Sequence, residues 1–248
     1  MEPIVLVFSI LISYLLGSIS FGRVFARILK PDASIEETEM QLPGIEEPYK
    51  LRSIGGNTVG VKLGTKAGCA VGLLDILKAF FPTLFFLLIY PEQPYFLFAA
   101  LGAFIGHNWP VYYRFKGGRG ISPFYGGLFA FDPLGALAIA VTSMFIGMVI
   151  LKELIIAYAG GVLLVIPFFL ITKYNDPLFY YYLGYAILIN ILFIFGMVPE
   201  IRQIVTLRRK YGKGDMRASM DAFPMGQQMN KLMKRLGLDK QKNNSPKG

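Results

Sequence analysis

Six runs of roughly 20 mainly apolar residues follow one another along this chain, and that is the length needed to cross a bilayer as a helix. They are Pro3–Phe21, Ala67–Tyr90, Pro94–Tyr113, Pro133–Leu151, Leu154–Thr172 and Pro177–Val198. A seventh, Gly120–Phe131, holds only 12 residues. Lipid offers no partner for backbone N–H and C=O groups, so spans of this kind must be helical. The chain therefore reads as an all-α polytopic membrane protein. The first run is not a cleavable signal: Glu2 stands where a basic n-region would be, and no small-x-small site precedes Arg23 and Arg27.

Charge sets the expected orientation. Residues 1–200 carry 13 Lys and Arg against 13 Asp and Glu, whereas 201–248 carry 12 against 3, which is the whole of the chain's +9. Behind a membrane domain such a tail marks the cytoplasmic side and can lie on anionic lipid; nucleic acid is the weakest reading. Arg23, Arg27 and Lys30 follow the first span, Arg114, Lys116 and Arg119 the third, and Lys152 the fifth. Seven crossings with the N-terminus outside put all these clusters and the tail inside, leaving only Lys173 on the outer side. A membrane domain over 1–200 and a basic cytoplasmic tail over 201–248 follow. In the tail, Met225, Met229, Leu232, Met233 and Leu236 form a helical apolar stripe beside Lys231, Lys234 and Arg235. This predicts an amphipathic helix lying at the membrane interface or packed on the protein's own surface.

One cysteine, Cys69, and one histidine, His107, exclude a disulfide and any Cys/His metal cage within the chain. No metal and no cofactor are expected. The chemistry concentrates instead in "GHNWPVYYRFKGGRGIS", Gly106–Ser122. Glycines 117, 118 and 120 let backbone N–H groups turn toward one point, and Lys116 and Arg119 add full positive charge. A helix starting near Gly120 would add its positive end. Such parts make a phosphate or carboxylate cradle, although a plain basic turn obeying the charge rule is the simpler reading of the loop alone. A second Gly-rich stretch, "SIGGNTVG" (Ser53–Gly60), lies on the same expected face between Arg52 and Lys62. Asp75 and Lys78, three apart on an apolar helix, read as an ion pair of mainly structural use. His107 has a suitable intrinsic pKa for a general base but no Ser-His-Asp arrangement around it, and a hydrogen-bonding anchor is the commoner role.

"GHNWPVYYRFKGGRG" closely resembles the G-H-x-F-P-x-x-x-x-F-K-G-G-K-G segment of the bacterial acyl-phosphate:glycerol-3-phosphate acyltransferases, the PlsY type. "YLLGSISFG" (Tyr14–Gly22) resembles that family's Y-x-x-G-S-I-P-F-G, "LLDILKAFFP" its D-x-x-K helix, and Gly55–Asn57 part of its S-G-N loop. The resemblance implies a seven-span enzyme of phospholipid synthesis in the inner (plasma) membrane, with its motif loops at the cytoplasmic face. Its reaction would move an acyl group from acyl-phosphate to glycerol-3-phosphate, giving lysophosphatidic acid. By matched position Lys116, Gly117, Gly118 and Arg119 would hold phosphate, Gly56 and Asn57 would belong to the first loop, and Gly106, His107 and Pro110 complete the second motif. Arg52 and Lys62 are the further candidate phosphate clamps. The chain departs from the pattern at Gly55, where the family has serine, and at Lys62, an approximate substitute for an arginine. Met197 and Glu200 stand where the family has histidine and asparagine. A relative that binds a phosphate-bearing lipid or a membrane partner without turnover is therefore the alternative; a transporter lacks support, since no paired broken helices stand out.

Overall fold

The computed structural model describes residues 1–32, 34–36, 38–151 and 153–220, together with 226, 227, 231, 234, 235 and 237; at 154 and 213–220 it describes the backbone alone. Lys152 and the apolar stripe of the expected tail helix, Met225 to Leu236, lie outside the described residues. Nine α-helices carry the described fold: α1 (Pro3–Gly17), α2 (Phe21–Leu29), α3 (Gly56–Leu63), α4 (Thr65–Ile89), α5 (Tyr95–Asn108), α6 (Ile121–Phe131), α7 (Pro133–Phe145), α8 (Leu154–Thr172) and α9 (Phe179–Met220). A π-helical turn, Ile146–Ile150, extends α7. The expectation of an all-helical chain needs one amendment. Strands β1 (Thr38–Met40) and β2 (Tyr49–Leu51) pair antiparallel with Glu39 opposite Lys50, and their side chains form an ion pair of 3.2 Å.

Five stretches are long and apolar enough to cross a membrane: Pro3–Leu29, Thr65–Ile89, Pro133–Ile150, Ile155–Thr172 and Phe179–Gly212. The expected third span is shorter than its apolar run. Helix α5 stops at Asn108, and Pro110 opens a 3₁₀ turn over Val111–Tyr113, because proline cannot donate to a continuing helix. At 1.5 Å per residue its 14 residues reach about 21 Å, and the 11 of α6 about 16 Å. Helix α9, by contrast, continues past Val198 and first leaves helical geometry at Gly212.

The apolar residues of α1 point outward and its small polar ones inward. Ile4, Val7, Phe8, Leu11 and Leu15 are exposed, whereas Ser9, Ser13 and Gly17 are buried. In lipid that inversion is expected, since packing rather than apolarity holds helices together and small residues let backbones approach. The facing helix α5 supplies Gly102 and Gly106, four residues apart. A Cβ at Gly102 would stand 2.5 Å from the Ile10 carbonyl oxygen, and one at Gly106 would strike the Tyr14 carbonyl oxygen. Gly56 and Gly68 make the same kind of contact between α3 and α4, each Cβ meeting the other's carbonyl oxygen at 2.5–2.6 Å.

A core of Phe96, Phe131, Phe169, Tyr182 and Tyr185 joins α5, α6, α8 and α9 away from these seams, with ring centroids 5.2 to 6.3 Å apart. A smaller cluster of Leu42, Ile45, Tyr49 and Leu51 seats the hairpin on Ile204 and Leu207 of α9. The loops divide between two ends of the bundle. At one end Lys173 bonds Asp132 at 2.8 Å, and the Glu2 amide donates to the Tyr95 hydroxyl. At the other lie Arg23–Glu36, Lys210–Glu47, Arg119–Glu200 and Arg208–Glu153, at 2.5–2.8 Å.

Gly106→Ala is expected to lower the unfolding midpoint in detergent, with an overpacking cost of about 1–3 kcal/mol. Gly184→Ala on α9, where an added Cβ meets nothing within 4 Å, serves as the reference and should leave the midpoint unchanged or slightly raised. Equal midpoints for the two variants would show that the α1–α5 seam has slack.

Candidate active site

Both glycine-rich loops reach the same place. The Ile54 amide donates to the Gly117 carbonyl at 3.1 Å, and the Gly118 amide to the His107 carbonyl at 3.0 Å. The second loop is thereby pinned to the first and to the end of α5. Between them opens a cavity of about 300 Å³. Gly56, Asn57, Gly118, Arg119 and Gly120 line it, with Asp75, His107 and Ser122, and Tyr49, Tyr158, Met197 and Glu200 close the opposite wall.

The expected site residues thus divide. Gly56, Asn57, Gly118, Arg119 and His107 are brought together. Arg52 and Lys116 are exposed and Lys62 half-buried, none of the three lining the cavity. Gly117 contributes its carbonyl to the loop–loop bond and does not line the cavity either. Helix α6 does begin at Ile121, next to Gly120, so its N-terminal turn adjoins the cavity. Helix N-termini, bare backbone amides and guanidinium groups all bind oxyanions.

A buried side chain that the sequence marks only as one of the inside cations holds the second loop in shape. Arg23, in α2, is 6% exposed. Its guanidinium donates to Glu36 and to the Lys116 carbonyl, each at 2.8 Å, and lies 4.4 Å from the centre of the Tyr113 ring. The loop it grips contains two successive residues in left-handed backbone geometry, Arg114 (φ 52°) and Phe115 (φ 61°). Neither is glycine, and such conformations persist only where surroundings impose them. Here the Tyr113 and Phe115 amides both donate to Pro110, at 3.1 and 3.0 Å.

Deeper in, Asp75 bonds Lys78 at 2.7 Å, and its same carboxylate oxygen lies 3.6 Å from His107 Nδ1. Lys78 also donates to the Ile19 carbonyl at 2.7 Å, where α1 gives way to α2. The pair therefore ties α4 to the first hinge and faces the imidazole. Gly118 abuts the other side of that ring, where any Cβ would overlap His107 Nε2. At the far wall Arg119 Nε donates to Glu200 at 2.8 Å, the two side chains 16% and 13% exposed. Burial, with the charge of Glu200, raises the pKa of the Tyr49 phenol above its ordinary value, and Arg119 opposes this. Its hydroxyl stays protonated at neutral pH. Tyr49 and Tyr158 carry no signal in their own segments, and Ser122 closes the Gly106–Ser122 stretch without a role of its own there. Glu200 did stand out, as a replacement in a motif, yet its partner lies 81 residues away.

Fold and site together define a membrane-embedded helical protein with a cavity, carrying a few charged groups in a largely apolar lining, where the loops of its cation-rich end meet. The model of the family described as glycerol-3-phosphate acyltransferase matches residues 7–207, and the chain belongs to that family. A relative of that name from Shouchella clausii is 30% identical over 224 residues, 84% of this chain and 97% of the relative. Relatives of the same name from Pelagibacter ubique and Aquifex aeolicus are 37% and 35% identical, over 48% and 52% of this chain. Those two alignments span only 56% and 62% of the relatives' own length. Among solved structures, the crystal structure of PlsY, an integral membrane glycerol 3-phosphate acyltransferase, is similar in two forms. The lysophosphatidic acid form superposes with a TM-score of 0.63 and the glycerol 3-phosphate form with 0.64. Each is 28% identical and covers 81% of this chain and 92% of that one.

Removing Arg23 leaves the Lys116 carbonyl unpaired, a loss of about 1–3 kcal/mol where such a group is buried. Arg23→Ala should therefore release the 113–116 loop, read as faster tryptic cleavage after Arg114 or Lys116 in detergent. Arg23→Lys, which keeps the charge without the planar fork, should fall between. Cleavage rates equal to the parent's would remove the latch.

Proposed function

We propose that this chain is a membrane acyltransferase of phospholipid synthesis, which moves an acyl group from an acyl-phosphate to glycerol-3-phosphate and releases lysophosphatidic acid. One observation carries the reading: the Ile54–Gly117 bond closes two glycine-rich loops on a single cavity that holds Arg119, beside the N-terminal turn of α6. The names and bound forms of the related proteins support the same substrate and product. An acyl-phosphate is already activated, so positioning the hydroxyl and stabilising charge can supply much of the rate. In this reading Arg119 and the first turn of α6 receive a phosphate, Gly118 lines the site with its amide held by the His107 carbonyl, Gly56 and Asn57 lie across from them, and His107 is held in place by Asp75. Arg52, Lys62 and Lys116, outside the cavity lining, act as a basic approach to its mouth.

We further infer seven crossings, the N-terminus outside and the site at the cytoplasmic face of the inner (plasma) membrane. The two-ended sorting of ion pairs supports this, because Lys173 and Asp132 meet at one end while the other charged loops meet at the opposite one. Residues 1–200 then form the membrane domain and 201–248 the basic tail against anionic lipid, with α9 running across that boundary. The presence of Met197 and Glu200 in the cavity wall favours a second reading, a relative that binds a phosphate-bearing lipid or a membrane partner without turnover.

Purified protein given acyl-phosphate and radiolabelled glycerol-3-phosphate is expected to form labelled lysophosphatidic acid. No product above a detergent blank would leave the second reading. Where product forms, Arg119→Ala should raise the KM for glycerol-3-phosphate by about tenfold or more, the scale of a lost charge-assisted hydrogen bond. An unchanged KM would take Arg119 out of the phosphate role.

A further inference from the structure

Among the described residues that line the cavity, Arg119 is the one cationic side chain of Lys or Arg type, and its Nε is already engaged. Its Nε donates to Glu200 Oε2 at 2.8 Å, and both side chains are largely withdrawn from solvent. The other lining carboxylate, Asp75, has Lys78 at 2.7 Å behind it. Counted with Lys78, the formal charges of Asp75, Arg119 and Glu200 cancel. A cradle built only to attract a dianion would leave its guanidinium open. This one places a carboxylate of its own on the group an incoming phosphate would need.

We propose that Glu200 is a specificity-determining residue that competes with the ligand's phosphate for Arg119, holding its Nε edge and opposing with its own charge any anion at the remaining guanidinium donors. The proposal deepens the reading of the cavity as a phosphate site and rests on it. Glu200 holds the Nε donor of Arg119, so a phosphate that takes the Nε edge must displace the carboxylate, and one that takes only the Nη groups binds beside its negative charge. Both routes weaken phosphate binding. They weaken it least for ligands with other points of attachment, such as an acyl chain in the membrane or a glycerol backbone beside the glycine loops. Inorganic phosphate, which has only the charge to offer, should be excluded most strongly. The competition thus separates a phosphate carried on a correct ligand from free phosphate, which is both abundant and, in the proposed reaction, a product.

The test uses the full chain in detergent, with radiolabelled inorganic phosphate in equilibrium dialysis and, separately, the KM for glycerol-3-phosphate. Glu200→Gln removes the charge and keeps the side-chain size. It is expected to tighten phosphate binding by about tenfold and to lower the KM for glycerol-3-phosphate more than it changes kcat. Glu200→Asp, whose carboxylate sits one methylene further back, should give a smaller gain and serves if the glutamine variant does not fold. In an Arg119→Ala background the gain should vanish, the non-additivity that marks a direct pair. Weaker phosphate binding in Glu200→Gln would show that Glu200 props Arg119 in place, and would overturn the proposal. No phosphate binding by the parent or by either variant, or a gain that persists without Arg119, would overturn it equally. Tightened, Arg119-dependent binding without acyl transfer would sustain the competition and remove the transferase reading; acyl transfer with phosphate affinity untouched by Glu200→Gln would do the reverse.

Discussion

Direct contact between helix backbones, made possible by glycine, is what the rest of this molecule depends on. In lipid an apolar side chain gains little by moving from acyl chains to a helix neighbour, so close packing has to supply the association. Gly17 of α1 against the Ala103 backbone, with Gly102 and Gly106 of α5 against the carbonyls of Ile10 and Tyr14, draws the first and fifth helices together. Gly56 against Gly68 does the same for α3 and α4, and Gly126 brings α6 onto the Ile76 carbonyl. These seams converge at the end of the bundle where the loops lie. Of the motif glycines, Gly56 and Gly106 are thus also residues without which their helices could not approach, and Gly118 leaves room for the His107 ring. A glycine in either motif carries both duties, and its replacement tests the two together.

On that scaffold the charges withdrawn from water are few, and Arg23, Asp75 and Lys78, the buried ones among the described residues, are each paired. Lys78 and Asp75 satisfy one another where α4 meets the first hinge, Arg23 satisfies a loop carbonyl and an aromatic face, and Arg208 and Lys210 hold Glu153 and Glu47. Ion pairs withdrawn from water cost desolvation that their attraction only partly returns. Their use here is geometric: Arg23–Glu36, Arg119–Glu200 and Arg208–Glu153 each join two separate segments, Lys78 reaches from its pair with Asp75 to the Ile19 carbonyl, and the cavity lies among them. The hairpin illustrates the same economy. It is fastened to α9 by the cluster of Leu42, Ile45, Tyr49 and Leu51 on Ile204 and Leu207, with Lys210–Glu47 at its rim. That docking carries Tyr49 into the cavity wall.

Features that depend on composition or on local order could be read directly from the chain. The long apolar runs became helices, the two glycine-rich loops met, and the Asp75–Lys78 spacing did give a buried pair. What could not be read was set by distant partners. Arg23 counts toward the charge bias like any other cation, and only the fold shows Lys116 and Tyr113 around it. The hairpin strands are three residues each and rich in charge, too short for an alternation to register. Helix α5 ends inside an apolar run, because Pro110 stops it while Val111, Tyr112 and Tyr113 keep the hydropathy high. Lys62, Arg52 and Lys116 looked equivalent to Arg119 as cations beside glycine. They differ because Arg119 alone of the four follows the turn that the Gly118–His107 bond directs inward.

Arg119 and Glu200 show how a family pattern can be altered without losing its frame. An isolated carboxylate in this wall would face a desolvation cost with nothing against it, and an isolated guanidinium would face the same. Side by side at 2.8 Å, each answers the other's charge. The substitution of glutamate in α9 is therefore tolerable only because an arginine reaches it from the second glycine loop, and the planar guanidinium with its spread of donors is better suited to that reach than a lysine ammonium. Two residues that look independent in the sequence, 81 positions apart, are in the structure one another's partners. The consequence of this pairing is local: the Ile54–Gly117 and Gly118–His107 bonds that shape the loops are made by the backbone and involve neither side chain, while the Glu200 carboxylate opposes the positive charge that Arg119 brings to the cavity.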